Sequence, residues 1–478
     1  MPTYVPSIGM EVHAELATRS KMFCRCPVAF GGEPNTRVCP VCLGLPGALP
    51  VPNRAAVEMV LRTALALKCE IAMTSVFHRK NYFYPDLPKG YQISQYGETN
   101  PLGYHGRLTI CDGAKTVSIR RVHLEEDTGK LVHTAEGISG IDYNRSGVPL
   151  MEIVTGFPPD ISSADEARSY LTELRLLLLH LGVCDGKMEE GSLRAEPNVS
   201  VRALGASELG AKTELKNLSS FRAVELGIGF EIGRQTALLD TGGRPAQETR
   251  GWNEEREESF LMRGKEGEQD YRYFTDPDLP AMCFEEEFIE TLRAGLPELP
   301  QAKRARYQSE LGLGSGDAAR LIADPEWSSY FERAVGLGAE AKPACNWMLS
   351  DFARLLNESG GTPLTSAFTP AHLADLVGLV ESGRVSGKTA KALIGDSFAG
   401  GEMPSALAEA GGLSQISDGE AIRALVAEVL DEHADVVIKY RAGNANVKGF
   451  LVGAVMKKSG GRANANQVNE ILSRELDR

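Results

Sequence analysis

The amino-acid sequence predicts an α+β protein in three parts. An N-terminal domain with a largely antiparallel sheet (1–292) precedes a helical domain (293–405) and a small helical tail (406–478). Three observations support this. Residues 1–292 combine β-branched and aromatic runs with closely spaced Gly and Pro turn signals, and strands and helices do not strictly alternate there. Around Pro297 and Pro300 the texture changes to short amphipathic helices broken by Gly and Pro. A Gly/Pro-bearing stretch at 400–412 then reads as a linker or hinge before the last helices.

In chain order, residues 8–16, 107–111, 116–124, 149–154 and 199–202 read as strands. Residues 54–68 and 164–181 carry the helical period and are expected to lie on the sheet. A third long helix is expected at 217–239, weakened by Gly227, Gly229 and Gly233. Further helices are expected at 303–311, 339–356, 370–381 and 387–398, and in the tail at 418–431, 447–458 and 464–474.

Composition narrows the function classes. At 42% hydrophobic and 24% charged the chain matches an ordinary soluble protein, and no apolar run is long enough to span a membrane. The opening MPTYVPSIGMEVHAEL lacks the basic and apolar regions of a signal peptide, so a cytoplasmic location is expected. The net charge of −13 disfavours indiscriminate nucleic-acid binding. Between 436 and 462, however, stand Lys439, Arg441, Lys448, Lys457, Lys458 and Arg462 with no acidic residue. That run reads equally as a phosphate-contacting patch or as a solvated helical surface.

Four of the nine cysteines fall in two close pairs, Cys24-x-Cys26 and Cys39-x-x-Cys42. Soft thiolates in such pairs suit tetrahedral Zn²⁺, and four protein ligands leave no open position, so the zinc is structural. Cys69, Cys111, Cys184, Cys283 and Cys345 are scattered, as buried inert thiols are.

A second kind of site is acidic. Glu11 and His13 alternate on a strand and therefore share a face. Glu125, Glu126 and Asp127 follow another strand, and Glu152 interrupts the apolar run PLMEIV. Burying Glu152 unpaired would be costly. Glu11, His13, Glu125 and Glu152 are expected to gather on one Mg²⁺ or Mn²⁺ ion, with Glu126 and Asp127 as weaker members. The segment 79–94 interleaves tyrosines with Arg79, Lys80 and Lys89, which suits a nucleobase and phosphates or, equally, an ordinary Pro/Gly-rich loop. Ser386-Gly387-Lys388-Thr389 imitates the end of a P-loop but lacks its first glycine. It reads instead as a helix start capped by Ser386.

The stretches IGMEVHAEL, KMFCRCPVAFGGEPNT, RKNYFYPDLPKGYQISQY, RVHLEEDTGK, DYNRSGVPLMEIV, KMEEGSLRAEPNVS and DYRYFTDPDLP together resemble the GatB family, which belongs to the tRNA-dependent amidotransferase GatCAB. The tail, with VKGFLVGAVMKKSGGRANANQVNEIL, is similar to that family's YqeY-like domain. The resemblance implies ATP-dependent conversion of misacylated Glu-tRNA(Gln) or Asp-tRNA(Asn) to the amide. It implies a heterotrimer with two partner chains, an amidase (GatA) that supplies ammonia and a small protein (GatC), and it implies a tRNA-binding tail. It makes Glu11, His13, Glu125, Glu126 and Glu152 catalytic, with Lys80, Tyr82 and Lys89 toward ATP or the tRNA acceptor end and Glu190 and Arg194 on the site wall. Some relatives lack the cysteines, so zinc is not needed for the chemistry in general. The competing reading is a non-catalytic zinc-ribbon RNA-binding protein.

Overall fold

The computed structural model describes residues 4–133, 137–264, 270–413, 419–442, 444–460 and 463–477. The chain divides into two compact units, 1–300 and 301–478. Among the described residues of the first unit, nine strands form one sheet: β1 (Tyr4–Glu15), β2 (Glu70–Ile71), β3 (Gly103–Ile110), β4 (Lys115–Glu126), β5 (Pro149–Thr155), β6 (Leu193–Ala203), β7 (Thr213–Lys216), β8 (Glu248–Asn253) and β9 (Glu258–Gly264). Their order is β9-β8-β7-β6-β1-β5-β4-β3-β2. Every pairing is antiparallel except β7 with β8. The expected antiparallel sheet is therefore present, with β1 at its centre.

Three helices cover one face: α1 (Arg54–Ala66), α2 (Ala164–Leu181) and α3 (Phe221–Asp240). Each has a side-chain cap, from Asn53, Ser163 and Ser220 respectively, which satisfies amides that a helix start leaves unpaired. In α2, Ala167, Tyr170, Leu171, Leu174, Leu178 and Leu181 are buried at helical spacing. They meet Ile8, Met10, Val12 and Ala14 of β1 in one core. The glycines of α3 do not break it: a Cβ at Gly227 would already touch Leu218, and Gly229 and Gly233 face open space.

The second unit is helical. The helices Pro370–Glu381 and Gly387–Gly400 lie where expected, and Ser386 caps the latter by accepting from the Thr389 amide at 3.2 Å. The expected helix at 339–356 contains a π-helical turn at Met348–Phe352. The linker expected at 400–412 is not open chain. Pro404–Ala410 is a helix, with Pro404 in its first turn and Ala408 buried; the fixed φ of proline suits that position. Tail residues Ile422, Val426, Val429, Leu451, Val455, Val468 and Leu472 form a core of their own. Two of the scattered cysteines, Cys111 and Cys283, are exposed rather than buried. Cys111 sits in the turn between β3 and β4, and Cys283 on a two-residue surface strand, where neither can reach the core.

Close packing of α1 on β3 depends on Gly103. A Cβ there would stand 2.5 Å from Ala64 Cβ and 3.2 Å from Cys69 Cβ, with no flexible group to give way. Gly103→Ala is expected to destabilise the protein by about 1–3 kcal/mol, read as a lower midpoint in chemical denaturation.

Candidate active site

Strand alternation sorts β1 into two sets. Its even-numbered residues from Ile8 to Ala14 are buried under the helices, so Glu11 and His13 face the other way. Antiparallel pairing then aligns four strands on one rung: His123 of β4, Glu152 of β5, His13 of β1 and Arg194 of β6. Residues directly opposite in a ladder share a face. These four side chains therefore project together, neighbouring rungs add Arg121, Glu125 and Glu11, and Asn198 stands one rung beyond Glu11. All of them line one cleft of about 1380 Å³.

The cleft floor is an acid–imidazole cluster. His123 Nε2 lies 2.8 Å from Glu125 Oε1 and 2.9 Å from Glu152 Oε2, and His13 Nε2 lies 3.8 Å from Glu152 Oε2. Ser94 Oγ and Gln92 Nε2 donate to the two oxygens of Glu125 at 2.8 and 2.9 Å. Glu125 and Glu152 are only 3% and 6% exposed, so unbalanced ionisation here would be costly. Burial alone would raise both carboxyls. His123 outweighs it and holds both below the usual range, Glu152 well below. Burial would likewise depress His123, but the two carboxylates lift it to about 9.

This balance leaves something over. His123 Nδ1 is buried with no hydrogen-bond partner among the described residues, an unfavourable setting for an N–H. A cation neutralising Glu125 and Glu152 would let that nitrogen give up its proton. His13, Glu125 and Glu152 each offer a ligand atom, and the three atoms lie within 4.8 Å of one another. Two carboxylates and one imidazole suit Mg²⁺ or Mn²⁺ with water completing the shell. Glu11 stands outside that set, accepting from Asn198 Nδ2 at 3.1 Å. Burial, then repulsion from Glu152, raises its pKa.

The expected residues divide. Lys80, Tyr82, Asp127 and Arg194 line the same cleft. Arg194 pairs with Asp127 at 2.8 Å, and the Lys80 ammonium lies over the Tyr271 ring at 5.1 Å. Glu126 and Lys89 do not reach the cleft. They pair with each other and line a second cavity of about 260 Å³ beside Cys24 and Cys42, because successive residues of β4 point to opposite faces. Glu190 also lies outside, bound to Lys187 at 2.8 Å in a loop. Sequence reasoning missed His123, Gln92 and Ser94. The signal for His123 was present, since it stands two residues before Glu125 on a strand.

The four cysteines also converge. Their sulfurs lie within 4.8 Å of one another, with Cys39 and Cys42 Sγ 3.9 Å apart. Tetrahedral Zn–S bonds near 2.3 Å place sulfurs about 3.8 Å apart, so the set could hold zinc. A hydrogen bond from the Cys24 thiol, helped by the Cys39 amide and Lys21, pushes Cys42 down to about 4 against its burial. Lys21 is 1% exposed with its ammonium 3.6 Å from Cys42 Sγ, a counter-charge for thiolates.

Comparison with known proteins matches this arrangement to a family. A profile described as the GatB/GatE catalytic domain covers residues 6–290, and one described as the GatB domain covers residues 329–476. The chain belongs to the GatB/GatE family. Curated relatives are named as the B subunits of aspartyl/glutamyl-tRNA(Asn/Gln) amidotransferases. The protein from Anaeromyxobacter dehalogenans (strain 2CP-C) is 50% identical over 98% of both chains. That from Nitratidesulfovibrio vulgaris (strain DP4) is 48% identical over 100% of both, and that from Moorella thermoacetica 48% identical over 99% of this chain and 100% of its own.

In this GatB-family chain the basic run of the tail is less basic than its sequence reads. Lys458 pairs with Glu428 and Glu432 at 2.8 and 2.6 Å, and Lys439 with Asp435 at 3.6 Å. Lys448 donates to Ser473 Oγ at 2.7 Å, and Arg462 lies outside the described residues. Among the described residues no helix is long and apolar enough to cross a membrane.

The His123 shift makes a sign-definite prediction for the metal-free protein. Its folded pKa near 9 exceeds the ordinary 6.5, so the stability it contributes is complete below the lower value and lost as pH rises through the higher. Denaturation of the metal-free chain between about pH 6 and about pH 9.5 should show a loss of order 3 kcal/mol. His123→Gln should flatten that slope; equal slopes in both proteins would contradict the assignment.

Proposed function

We propose that this chain is the amide-forming component of an ATP-dependent, tRNA-dependent amidotransferase. It would work in the cytoplasm as part of a heterotrimer, beside an amidase partner (GatA) and a small third chain (GatC). The reading rests on one observation above all: the rung that places Glu152 and His13 beside the Glu125–His123 pair, at the floor of a cleft large enough for a nucleotide and an aminoacyl end. It is supported by relatives named for Asp/Glu-tRNA(Asn/Gln) amidotransferase.

The chemistry explains the site. The side-chain carboxylate of a misacylated Glu-tRNA(Gln) or Asp-tRNA(Asn) is a poor electrophile. Its oxygen attacks the γ-phosphorus of ATP, the bond to the β-phosphate oxygen breaks, and ADP leaves. Ammonia then attacks the acyl carbon, the C–O bond breaks, and the proton shed by nitrogen leaves with phosphate. Glu125, Glu152 and His13, with Glu11 one rung away, would hold the divalent ion. Mg²⁺ bound there supplies screening between the carboxylate nucleophile and the γ-phosphate. Lys80, Arg121 and Arg194 add positive charge around the same space and orient phosphates. His123 fixes the two carboxylates, and Ser94 and Gln92 set the Glu125 rotamer.

The four cysteines would bind structural Zn²⁺ away from the reacting atoms. Residues 406–478 would serve as the tRNA-binding tail, behind 1–292 as the transamidase domain and 293–405 as a helical domain. A non-catalytic zinc-ribbon RNA-binding protein would have no use for a buried Glu–His–Glu cluster.

Glu125→Gln in the assembled enzyme is expected to lower amide formation by about 100-fold or more, while partner glutaminase activity stays near wild type. Amide formation at the wild-type rate, or loss of both activities together, would overturn the role given to Glu125.

A further inference from the structure

One wall of the cleft has features that packing alone does not account for. Tyr96 and Tyr273 lie face to face, with ring centroids 4.2 Å apart and planes 11° from parallel. Both line the cleft, and Tyr96 is 56% exposed. Tyr271 stands edge-on to Tyr273 and to Tyr82, at 6.1 and 5.9 Å. The aromatic wall is therefore continuous, and Lys80 lies against it.

The backbone is arranged to hold this wall. The Asn81 amide donates to Tyr271 O at 2.9 Å, and Asn81 Nδ2 donates to Arg272 O at 2.8 Å. Arg272, between the two tyrosines, has φ +46°, and its N–H donates to Asp270 Oδ1 at 2.9 Å. A non-glycine residue is held in that region only where its surroundings enforce it, and such positions cluster at binding sites. Burial pushes the Tyr273 hydroxyl up to about 12. Lys80 opposes the rise, and Glu125 and Glu152, which line the same cleft, add to it.

A flat, half-exposed aromatic face next to phosphate-compatible cations binds nucleobases by stacking, whatever the base. Arg120, Lys212 and Arg263 also line this cleft. We propose that Tyr96, backed by Tyr273, is the platform on which an adenine ring stacks during the reaction. This rests on the proposed function, in which both large substrates carry adenine: ATP, and the 3′-terminal adenosine that bears the misacylated amino acid. Tyr82, Tyr271 and Lys80 continue the platform within the cleft that also holds the acid cluster, so a base seated on Tyr96 would leave its phosphate or acyl end in the same cleft as the reacting atoms.

The test uses the assembled enzyme with Tyr96→Leu, which keeps an apolar side chain but removes the π face, and Tyr96→Phe, which keeps the face and loses only the hydroxyl. KM and kcat are measured separately for ATP and for misacylated tRNA. Tyr96→Leu should raise one of the two KM values about tenfold with a smaller change in kcat, and Tyr96→Phe should stay within about twofold of wild type. The KM that responds identifies which adenine is stacked. A direct readout guards against misfolding: etheno-ATP, and tRNA with 2-aminopurine at its 3′ end, should each be tried for quenching on binding. One probe should be quenched by the wild type and by Tyr96→Phe but not by Tyr96→Leu. Unchanged KM for both substrates in Tyr96→Leu, or equal defects in Leu and Phe, overturns the platform. Wild-type enzyme that forms no amide at all defeats the parent reading instead, independently of Tyr96.

Discussion

Two buried carboxylates share one imidazole, and the rest of the cleft is organised by that concentration of negative charge. Glu125 and Glu152 both lie within hydrogen-bond distance of His123 Nε2. In a protein interior such a cluster is tolerated only if positive charge stays with it. The surroundings supply it in layers: His123 at the centre, then Arg121 at 3.8 Å from Glu152, then Lys80. A divalent cation completes the same logic, since it replaces a fractional solution with a full one and frees His123 to be neutral. The sheet makes this possible. One face is filled by three capped helices, so the opposite face of the central strands can carry almost nothing but acids, bases and amides.

Much of that face was legible in the sequence. Alternation alone placed Glu11 with His13, and an acid inside the apolar run PLMEIV marked Glu152 as a residue needing partners. The cysteine spacing was equally direct, because four soft ligands in one short segment leave few alternatives. The helices 164–181 and 370–381 matched in full, since each has a strong apolar period and a clear start and stop.

What was not legible has a common cause: it depends on pairing between distant segments. The register that sets His123, Glu152, His13 and Arg194 on one rung follows from three strand pairings with long loops between them, and no local pattern encodes it. Glu126 and Glu125 are neighbours in sequence, yet the pleat sends one to the cysteine side and the other to the cleft. The charge of the tail stayed open between a phosphate-contacting patch and a solvated surface, because Glu428 and Glu432, which pair with Lys458, lie just outside the basic run and meet it only in the folded tail. The segment 400–412 looked like a linker because its Gly and Pro were weighed as breakers, whereas Pro404 starts a helix there. The tyrosine wall joins residues 82 and 96 to residues 271 and 273, a contact only the fold creates.

The central claim is that acids and an imidazole from β1, β4 and β5 hold a single divalent cation. Mn²⁺ titration of the assembled enzyme, followed by electron paramagnetic resonance, tests it most directly, with Glu152→Gln as the comparison. One Mn²⁺ site should be present in the wild type and lost or greatly weakened in Glu152→Gln, with the fold intact by circular dichroism. An identical number of sites with identical affinity in both proteins would contradict the account.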